Sequence, residues 1–420
     1  MHGFSNIMIT EQAIAVAAER VQQRCVDLAK CSEHPDQLTR TFCSDAMAAA
    51  HQSLGSWMEA AGLQPRLDAV GNLIGANDLQ KEKPILLIGS HLDTVVNAGS
   101  YDGTLGVLLG LAVVEVIREM ANDLAVDVQV VAFSEEEGVR FRYPFIGSMG
   151  IAGVSDQESL QRTDEAGESM GDVLKKFGCP SDYQSASYQS RKVIGFIEAH
   201  MEQATRLEEE EIAVGIVTVI AGQTRAAFQI EGVAGHAGTV PHGRRRDALA
   251  AAAEMILAIE AIGRETDGLF ATVGTIQATP GLSNVICGHT TLRLDLRHEL
   301  DSVREQAHQQ IMERLDEISG QREVTCTATD VQHTPAIPMD SNLCEVLTEA
   351  ADVFTGSAVK LVSGAGHDAM IMSKLTRSCM LFVRCRDGIS HHPDEFVSTD
   401  DIRIALQVMV KATLDLAKTI

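Results

Sequence analysis

Two apolar segments separated by a helical run restrict what this chain can fold into. "PILLIGS" (84–90) and "VDVQVVAFS" (126–134) have the composition of buried strands, and "LGVLLGLAVVEVIREMA" (105–121) has that of a buried helix. Parallel strands need a crossover connection of this kind, and continuous apolar strands are typical of sheets covered on both faces. The pattern predicts an α/β domain with a mixed, mainly parallel sheet and helices on both faces.

A second region shows a different order of elements. Between residues 212 and 329, strand-like and helix-like segments follow the order β-α-β-β-α-β, which is that of a ferredoxin-like α+β sandwich. A chain of 420 residues also exceeds what one hydrophobic core usually supports. We therefore predict a larger domain of residues 1–211 and 330–420, with a ferredoxin-like domain of residues 212–329 inserted into it.

Charge and composition exclude several kinds of partner. The net charge of −24 argues against nucleic acid and anionic membranes, because binding to either needs clustered Lys and Arg. The sequence shows no 18-residue apolar run and no secretion signal, and its nine cysteines include no C-x-x-C pair. These features predict a cytoplasmic protein with reduced thiols.

Histidines and carboxylates occur in glycine-rich or strand-end segments of the larger domain. "GSHLDTVVNAGSYDG" (89–103) overlaps and follows the first predicted strand, and "EEE" (135–137) follows the second. Functional groups gather at the carboxyl ends of strands in such sheets, and imidazole with carboxylate suits divalent transition metals. A mixed set of five ligands suits two metals that share one carboxylate. The candidate ligands are His91, Asp102, Glu137, His200 and His391.

Two further acids have candidate roles beside these ligands. Asp93 lies two residues after His91 and would orient its imidazole without binding metal. Glu136 is the candidate general base, which would take a proton from water and return it to the leaving nitrogen. The alternative for Glu136 is an exposed member of a solvated acidic turn.

Three residues of the smaller domain could bind a substrate. Arg297 ends "LRLDLR" (292–297), and its planar guanidinium could grip a carboxylate with the Asn284 amide as partner. The alternative for Arg297 is a salt bridge with Asp295 or Glu299. His236 lies in "GVAGHAGTVP" (232–241), where it could polarise a carbonyl oxygen, and its alternative is an ordinary turn histidine.

The motifs of the whole chain, taken in order, resemble one enzyme family. They include "GSHLDTV", "YDGTLGVL", "SEEEGVRF", "EAHMEQ", "AGHAGTVP", "LSNVI", "SGAGHDA" and "GISHHPDE". This set resembles the amidase, hydantoinase and carbamoylase branch of the di-metal aminoacylase and carboxypeptidase G superfamily. Within that branch, "IAGQTR" and "MLFVRCRDGISH" look most like the allantoate amidohydrolases.

The resemblance implies a cofactor and a set of site residues. It implies a catalytic domain with two divalent ions bridged by Asp102, with Mn²⁺ expected ahead of Zn²⁺ or Co²⁺. It also implies that the inserted domain is a lid and dimerisation domain, and that the chain is a homodimer whose partner lid presents the histidine. The triplet "EEE" (135–137) also allows Glu135 as base with Glu136 as ligand. The match of the segment "EEGVRF" to the family motif favours Glu136 as base and Glu137 as ligand. The residues implied to contact substrate are Gln203, His236, Asn284, Arg297, Gly366, His367 and Ser390.

The implied activity is hydrolysis of the ureido group of allantoate, a small anionic substrate, to ureidoglycine, ammonia and carbon dioxide. An N-carbamoyl-L-amino acid or 3-ureidopropionate is the alternative substrate, and a di-metal exopeptidase is a more distant alternative. The alternative from another class is a non-catalytic binding protein on the same scaffold. The complete set of candidate ligands argues against that last interpretation.

Overall fold

The computed structural model describes residues 11–77, 83–120 and 124–418. These residues form two compact units. The first contains the chain up to Thr218, Met339–Leu361 and the chain from His367 onward, and the second contains Val219–Pro338 and Val362–Gly366. Within the described residues, no helix combines the length and apolar character that a membrane span would need.

The described chain contains eleven α-helices and fifteen strands. The helices are α1 (Glu11–Leu28), α2 (Asp45–Ala60), α3 (Thr104–Glu119), α4 (Ile146–Ala152), α5 (Met170–Phe177), α6 (Arg206–Glu209), α7 (Ala248–Glu265), α8 (Asp301–Arg322), α9 (Ser341–Thr355), α10 (Asp368–Met372) and α11 (Thr399–Lys418). The strands are β1 (Gln64–Leu67), β2 (Leu73–Ala76), β3 (Ile85–His91), β4 (Asp127–Phe133), β5 (Val193–Met201), β6 (Val214–Ile220), β7 (Gly222–Glu231), β8 (Gly235–His236), β9 (Phe270–Thr279), β10 (Val285–Ile286), β11 (His289–His298), β12 (Thr325–Thr334), β13 (Ile337–Pro338), β14 (Val359–Ser363) and β15 (Ser378–Val383).

The larger sheet has nine strands in the order β1-β2-β4-β3-β5-β15-β6-β13, with β14 paired to β6. Its centre is parallel, because β3 runs parallel to both β4 and β5, and β5 runs parallel to β15. The pairs toward the edges, β1–β2, β2–β4, β15–β6 and β6–β13, are antiparallel. The predicted mixed, mainly parallel α/β sheet is therefore confirmed.

Burial explains why the two apolar segments form the centre of this sheet. Every residue of β3 and β4 is buried, and α3 is buried along nearly its whole length. The helix lies very close to the strands: a Cβ added at Gly106 would lie 2.0 Å from the carbonyl oxygen of Ala199, and one at Gly110 would lie 3.0 Å from Ile88. At residue 106 only glycine allows this approach, which fixes the start of α3 over the ends of β3 and β5.

The second unit contains a four-stranded antiparallel sheet in the order β12-β7-β11-β9. With α7 and α8 placed between its strands in sequence, this is the predicted β-α-β-β-α-β arrangement. Alternate residues of β11, including Leu292, Leu294 and Leu296, are buried against both helices. The core of this unit is thus built by period-two strands under two helices.

The bounds of the units differ from the predicted insertion of residues 212–329. Strand β6 looks continuous with β7 in the sequence, but it pairs antiparallel with β15 in the larger sheet. The chain enters the smaller sheet only at β7, and β12 extends to Thr334. Strand pairing over long sequence distances decides these bounds, and local composition does not report it.

We predict that Gly106→Ala destabilises the first unit by about 1–3 kcal/mol, since the added methyl group would clash with the backbone of β5. Urea unfolding followed by the fluorescence of Trp57, the one tryptophan in the sequence, would measure the change. Gly171→Ala in α5 is the matched control, because its Cβ meets only ordinary contacts of 3.5 Å or more. An unchanged midpoint for Gly106→Ala would contradict the close packing of α3.

Candidate functional site

The candidate ligands follow the central strands of the larger sheet. His91 is the last residue of β3, His200 is the penultimate residue of β5, and Asp102 lies two residues before α3. Glu137 follows β4, and His391 follows β15. Because β3, β4, β5 and β15 are parallel, their carboxyl ends meet at one edge of the sheet. The five predicted ligands are brought together there.

The first group of ligands consists of His91, Asp102 and His200. Oδ1 of Asp102 lies 3.2 Å from Nε2 of His91 and 3.1 Å from Nε2 of His200. Nδ1 of His91 lies 3.0 Å from the carbonyl oxygen of Asp93, and Nδ1 of His200 lies 2.9 Å from that of Met201. A carbonyl oxygen can only accept, so Nδ1 carries a proton in both rings. In a neutral ring, Nε2 then offers its lone pair toward Asp102.

The second group consists of Asp102, Glu137 and His391. Nε2 of His391 lies 3.3 Å from Oδ2 of Asp102 and 3.4 Å from Oε1 of Glu137. Asp102 thus presents one oxygen to each group, which is the arrangement of a carboxylate shared by two cations. Ligand atoms around a tetrahedral ion with bonds of about 2.1 Å are separated by about 3.4 Å, close to the distances seen here.

The electrostatics of the groups favour positive charge between these side chains. Oδ1 of Asp102 is buried and accepts no well-aligned hydrogen bond from the described residues. Burial opposes ionisation of Asp102, but His200, His391 and His91 hold its pKa well below the usual value. Hydrogen bonds to Asp102 and Glu137 raise the pKa of His391 to about 10. The chemistry and spacing of the donor set therefore fit divalent cations.

Asp93 holds the glutamate turn as well as His91. Its carboxylate accepts the backbone N–H groups of Glu136 at 2.9 Å and Glu137 at 3.1 Å, and it lies 3.4 Å from Nδ1 of His91. One acid therefore connects the end of β3 to the turn after β4. The sequence predicted only its contact with His91.

The three glutamates of the triplet have different surroundings. One ligand atom from each of His91, Glu136 and Glu137 lies within 4.8 Å of the other two, so both of these acids face the site. Glu135 is fully buried near the backbone of Phe42 and Arg140. Burial raises the pKa of Glu136 well above its usual value, and the nearby acids Glu137, Asp368 and Asp93 add to this effect, whereas His91 opposes it. The assignment of Glu136 as base and Glu137 as ligand stays a prediction.

Other predicted residues surround the shared carboxylate. Nε2 of Gln203 donates to Oδ2 of Asp102 at 2.9 Å and to Oγ of Ser390 at 3.1 Å, and Ser390 donates to the same Oδ2 at 2.7 Å. The buried ring of His367 packs edge-to-face on His200 with ring centres 4.6 Å apart. Gln203 and His391 both adopt positive φ, of 58° and 57°, a backbone conformation that clusters at functional sites when the residue is not glycine.

The remaining predicted residues lie in the second unit. His236 on β8 pairs with Val285 on β10, and the carbonyl oxygen of Asn284 accepts the N–H of Ala237, so His236 and Asn284 are neighbours. The N–H of Gly238 donates to Nδ1 of His236 at 3.1 Å, which leaves the proton of a neutral ring on Nε2. His236 is exposed and is therefore available as a donor.

Arg297 forms the salt bridge that was its alternative interpretation. Its Nε and Nη2 donate to the two oxygens of Asp295 at 2.7 and 2.9 Å, and its Nη1 donates to the carbonyl oxygen of Gly364 at 2.6 Å. These contacts use three of the five N–H donors of a guanidinium. Gly366, also predicted to contact substrate, belongs to this unit and precedes His367 in the chain.

Two buried acids that were not predicted from the sequence, Glu198 and Glu395, border the site. Glu198 accepts hydrogen bonds from Oγ of Ser90 and from the N–H of Ala369, both at 2.8 Å. Its position two residues before His200 on β5 was a usable signal, because side chains repeat on one face every two residues. Glu395 lies four residues after His391 in a loop, where no periodicity marks it.

Comparisons with known proteins agree on one family. The family model described as peptidase family M20/M25/M40 matches residues 87–415. The allantoate deiminase of Arabidopsis thaliana is 36% identical over 93% of this chain and 81% of its own length. The N-carbamoyl-L-amino acid amidohydrolase of Geobacillus stearothermophilus is 35% identical over 96% of this chain and 99% of its own.

A solved structure supports the same relationship. An amidase of the hydantoinase/carbamoylase family from Burkholderia multivorans superimposes with a TM-score of 0.87 at 29% identity, covering 95% of this chain and 98% of that chain. The resemblance seen in the motifs is thereby confirmed. The chain belongs to peptidase family M20/M25/M40, in its hydantoinase/carbamoylase branch of amidohydrolases, and is an enzyme that hydrolyses carbon–nitrogen bonds.

Proposed function

We propose that this enzyme is a metal-dependent amidohydrolase that converts allantoate to ureidoglycine, ammonia and carbon dioxide. The observation that carries the proposal is the buried carboxylate of Asp102, which lies between two groups of candidate metal ligands. The substrate is supported by the motifs quoted above and by relatives named for allantoate. Relatives of similar identity are named for N-carbamoyl-L-amino acids, so hydrolysis of those compounds or of 3-ureidopropionate is the second candidate.

In this proposal two divalent cations would be held by the two groups. His91, Asp102 and His200 would hold one, and Asp102, Glu137 and His391 would hold the other. Bound cations would supply Lewis acidity to the ureido carbonyl and lower the pKa of water toward 7. Mixed histidine and carboxylate ligands suit Mn²⁺, Zn²⁺ and Co²⁺ alike, so the ligand set does not select the metal. We propose Mn²⁺ because the family resemblance favours it.

Glu136 acts as general base and then as general acid in this mechanism. Its carboxylate takes a proton from water as the oxygen attacks the ureido carbon. The bond from that carbon to the nitrogen of ureidoglycine then breaks, and Glu136 returns the proton to that nitrogen, which leaves carbamate. Burial raises the pKa of Glu136 well above its usual value, which helps this carboxyl to keep the proton between the two transfers. The carbamate product then breaks down to ammonia and carbon dioxide.

The second unit would bind the rest of the substrate. His236, with its proton on Nε2, would donate to the carbonyl oxygen as negative charge develops there. Arg297 and Asn284 would hold the substrate carboxylate, Arg297 through the N–H groups that Asp295 and Gly364 do not use. We also propose Gln203, Ser390 and His367 of the first unit, and Gly366 of the second, as substrate contacts.

Two proposals concern the setting of the enzyme. We propose a homodimer formed through the inserted domain, in which the partner lid supplies the histidine at position 236. We also propose a cytoplasmic location, for which the nine free cysteines are typical.

Binding of Mn²⁺ to the metal-free enzyme should release protons at pH 7. The pKa of His391 is raised to about 10, and the carboxylates of Asp102 and Asp93 hold that of His91 well above its usual value although burial opposes this. Ligand nitrogens must lose their protons, so about one proton should leave from His391 alone, and affinity should fall as pH falls. Calorimetry in buffers of different ionisation enthalpy would measure the release, and heats that do not depend on buffer would contradict it.

Glu136→Gln should retain two Mn²⁺ per chain and lose turnover by roughly 100- to 10,000-fold, because the amide cannot transfer the proton. Metal content by mass spectrometry and kcat for ammonia release would be measured together. Glu158→Gln, an exposed change in a surface 3-10 helix, is the control. Unchanged kcat in Glu136→Gln would remove this residue as the base, and loss of metal would make it a ligand.

A substrate panel tests the proposed activity directly. The metal-free enzyme is reloaded separately with Mn²⁺ and Zn²⁺, and ammonia release is followed for allantoate, N-carbamoyl-L-amino acids and 3-ureidopropionate. We expect the highest kcat/KM for allantoate with Mn²⁺. A higher kcat/KM for an N-carbamoyl-L-amino acid would establish the second candidate, and hydrolysis of dipeptides alone would contradict both.

A further inference from the structure

We propose that Glu395 is a positioning residue that ties the segment of Asp102 to the segment of His391 and thereby sets the metal affinity of the second group. The inference rests on the proposed two-metal centre and assigns a role to a residue outside its ligand set. Glu395 contacts the backbone of two ligands and the side chain of Ser390, and no part of the mechanism above uses it.

One carboxylate holds both segments at once. Oε2 of Glu395 accepts the N–H groups of Tyr101 at 3.2 Å and Asp102 at 3.3 Å, which are 294 and 293 residues away in the sequence. Oε1 accepts the N–H of His391 at 2.9 Å and lies 3.4 Å from Oγ of Ser390. Two oxygens of a single side chain thus divide their hydrogen bonds between the two segments.

The packing around Glu395 shows that its place is built into the fold. The residue is only 5% exposed, and the ring of its neighbour Phe396 packs edge-to-face on Tyr101. A Cβ added at Gly99 would lie 2.3 Å from both Cβ and Oε2 of Glu395. The segment that leads to Asp102 can therefore approach Glu395 only because residue 99 has no side chain.

The two groups of ligands depend on this tie to different degrees. His91 and His200 belong to central strands, and each donates its Nδ1 proton to a backbone carbonyl oxygen. His391 lies in a loop with a positive φ of 57°, and Glu395 accepts its backbone N–H. Loss of Glu395 should therefore weaken the group of Asp102, Glu137 and His391 more than the group of His91, Asp102 and His200.

Calorimetric titration of the metal-free full-length enzyme with Mn²⁺ tests this inference. In Glu395→Gln, the amide has one acceptor oxygen and can hold one segment but not both. We expect one Mn²⁺ equivalent to bind 10- to 100-fold more weakly and the other to stay within about twofold of wild type. His391→Ala identifies which equivalent belongs to the second group. In Glu395→Gln, kcat should fall by a larger factor than KM rises.

Two further variants bracket the result. Gly99→Ala leaves the carboxylate chemically intact but displaces it, and should weaken the same equivalent. Asp394→Asn is the matched control, because the exposed carboxylate of this neighbour lies at the surface, 3.6 Å from Nδ1 of His392, and both equivalents should bind as in wild type. Circular dichroism and melting temperature establish whether each variant is folded. If Gly99→Ala is not folded, the isosteric Glu395→Gln alone decides the test.

Several outcomes would overturn the inference. Wild-type affinity for both equivalents in Glu395→Gln would show that the tie does not position the ligands. Equal weakening of both equivalents would contradict the selective effect on the second group. Failure of the wild-type enzyme to bind two equivalents would instead contradict the proposed two-metal centre. The wild-type stoichiometry is therefore measured before any variant is compared.

Discussion

Asp102 is a buried carboxylate with histidine nitrogens close to both of its oxygens. The strands and helices of the first unit are arranged so that these side chains meet. Its oxygens lie between 3.1 and 3.3 Å from Nε2 of His91, His200 and His391. A buried charge is costly unless it is compensated, and here protons or divalent cations can provide the compensation. The parallel strands β3 and β5 deliver two of these histidines side by side. The glycines of α3 let that helix begin directly after Asp102, close above the same strand ends.

Side chains outside the ligand set hold the segments that carry the ligands. Asp93 binds the glutamate turn, and Glu395 binds the segments of Asp102 and His391. The fully buried guanidinium of Arg40 donates to the carbonyl oxygens of Leu92 and Leu28, and burial lowers its pKa to about 10. Three ionisable side chains therefore bind backbone groups of loops and, for Arg40, of the end of α1, which would otherwise lack these partners.

The candidate metal ligands do not by themselves select a substrate. Relatives named for allantoate and for N-carbamoyl-L-amino acids match this chain at similar identity, so the family alone does not select between them. Both substrate classes carry a ureido group and a carboxylate, and a centre that activates water treats their ureido groups alike. Discrimination must come from groups that bind the remainder of the substrate. Arg297 already shares its guanidinium with Asp295 and Gly364, which limits the directions from which it can receive a carboxylate.

Local patterns were sufficient to predict the α/β sheet, the β-α-β-β-α-β order and the five candidate ligands that the structure brings together. The apolar side chains of β3 and β4 and the alternating side chains of β11 predict how each strand is buried. Candidate histidines and acids lie at or just after the ends of β3 and β4. The tertiary structure alone decided that β6 pairs with β15, that Glu135 is buried near Phe42, and that Glu395 joins two distant segments. The physical reason is that periodicity reports which face of an element is buried, whereas contacts between residues hundreds of positions apart exist only once the sheet has been assembled.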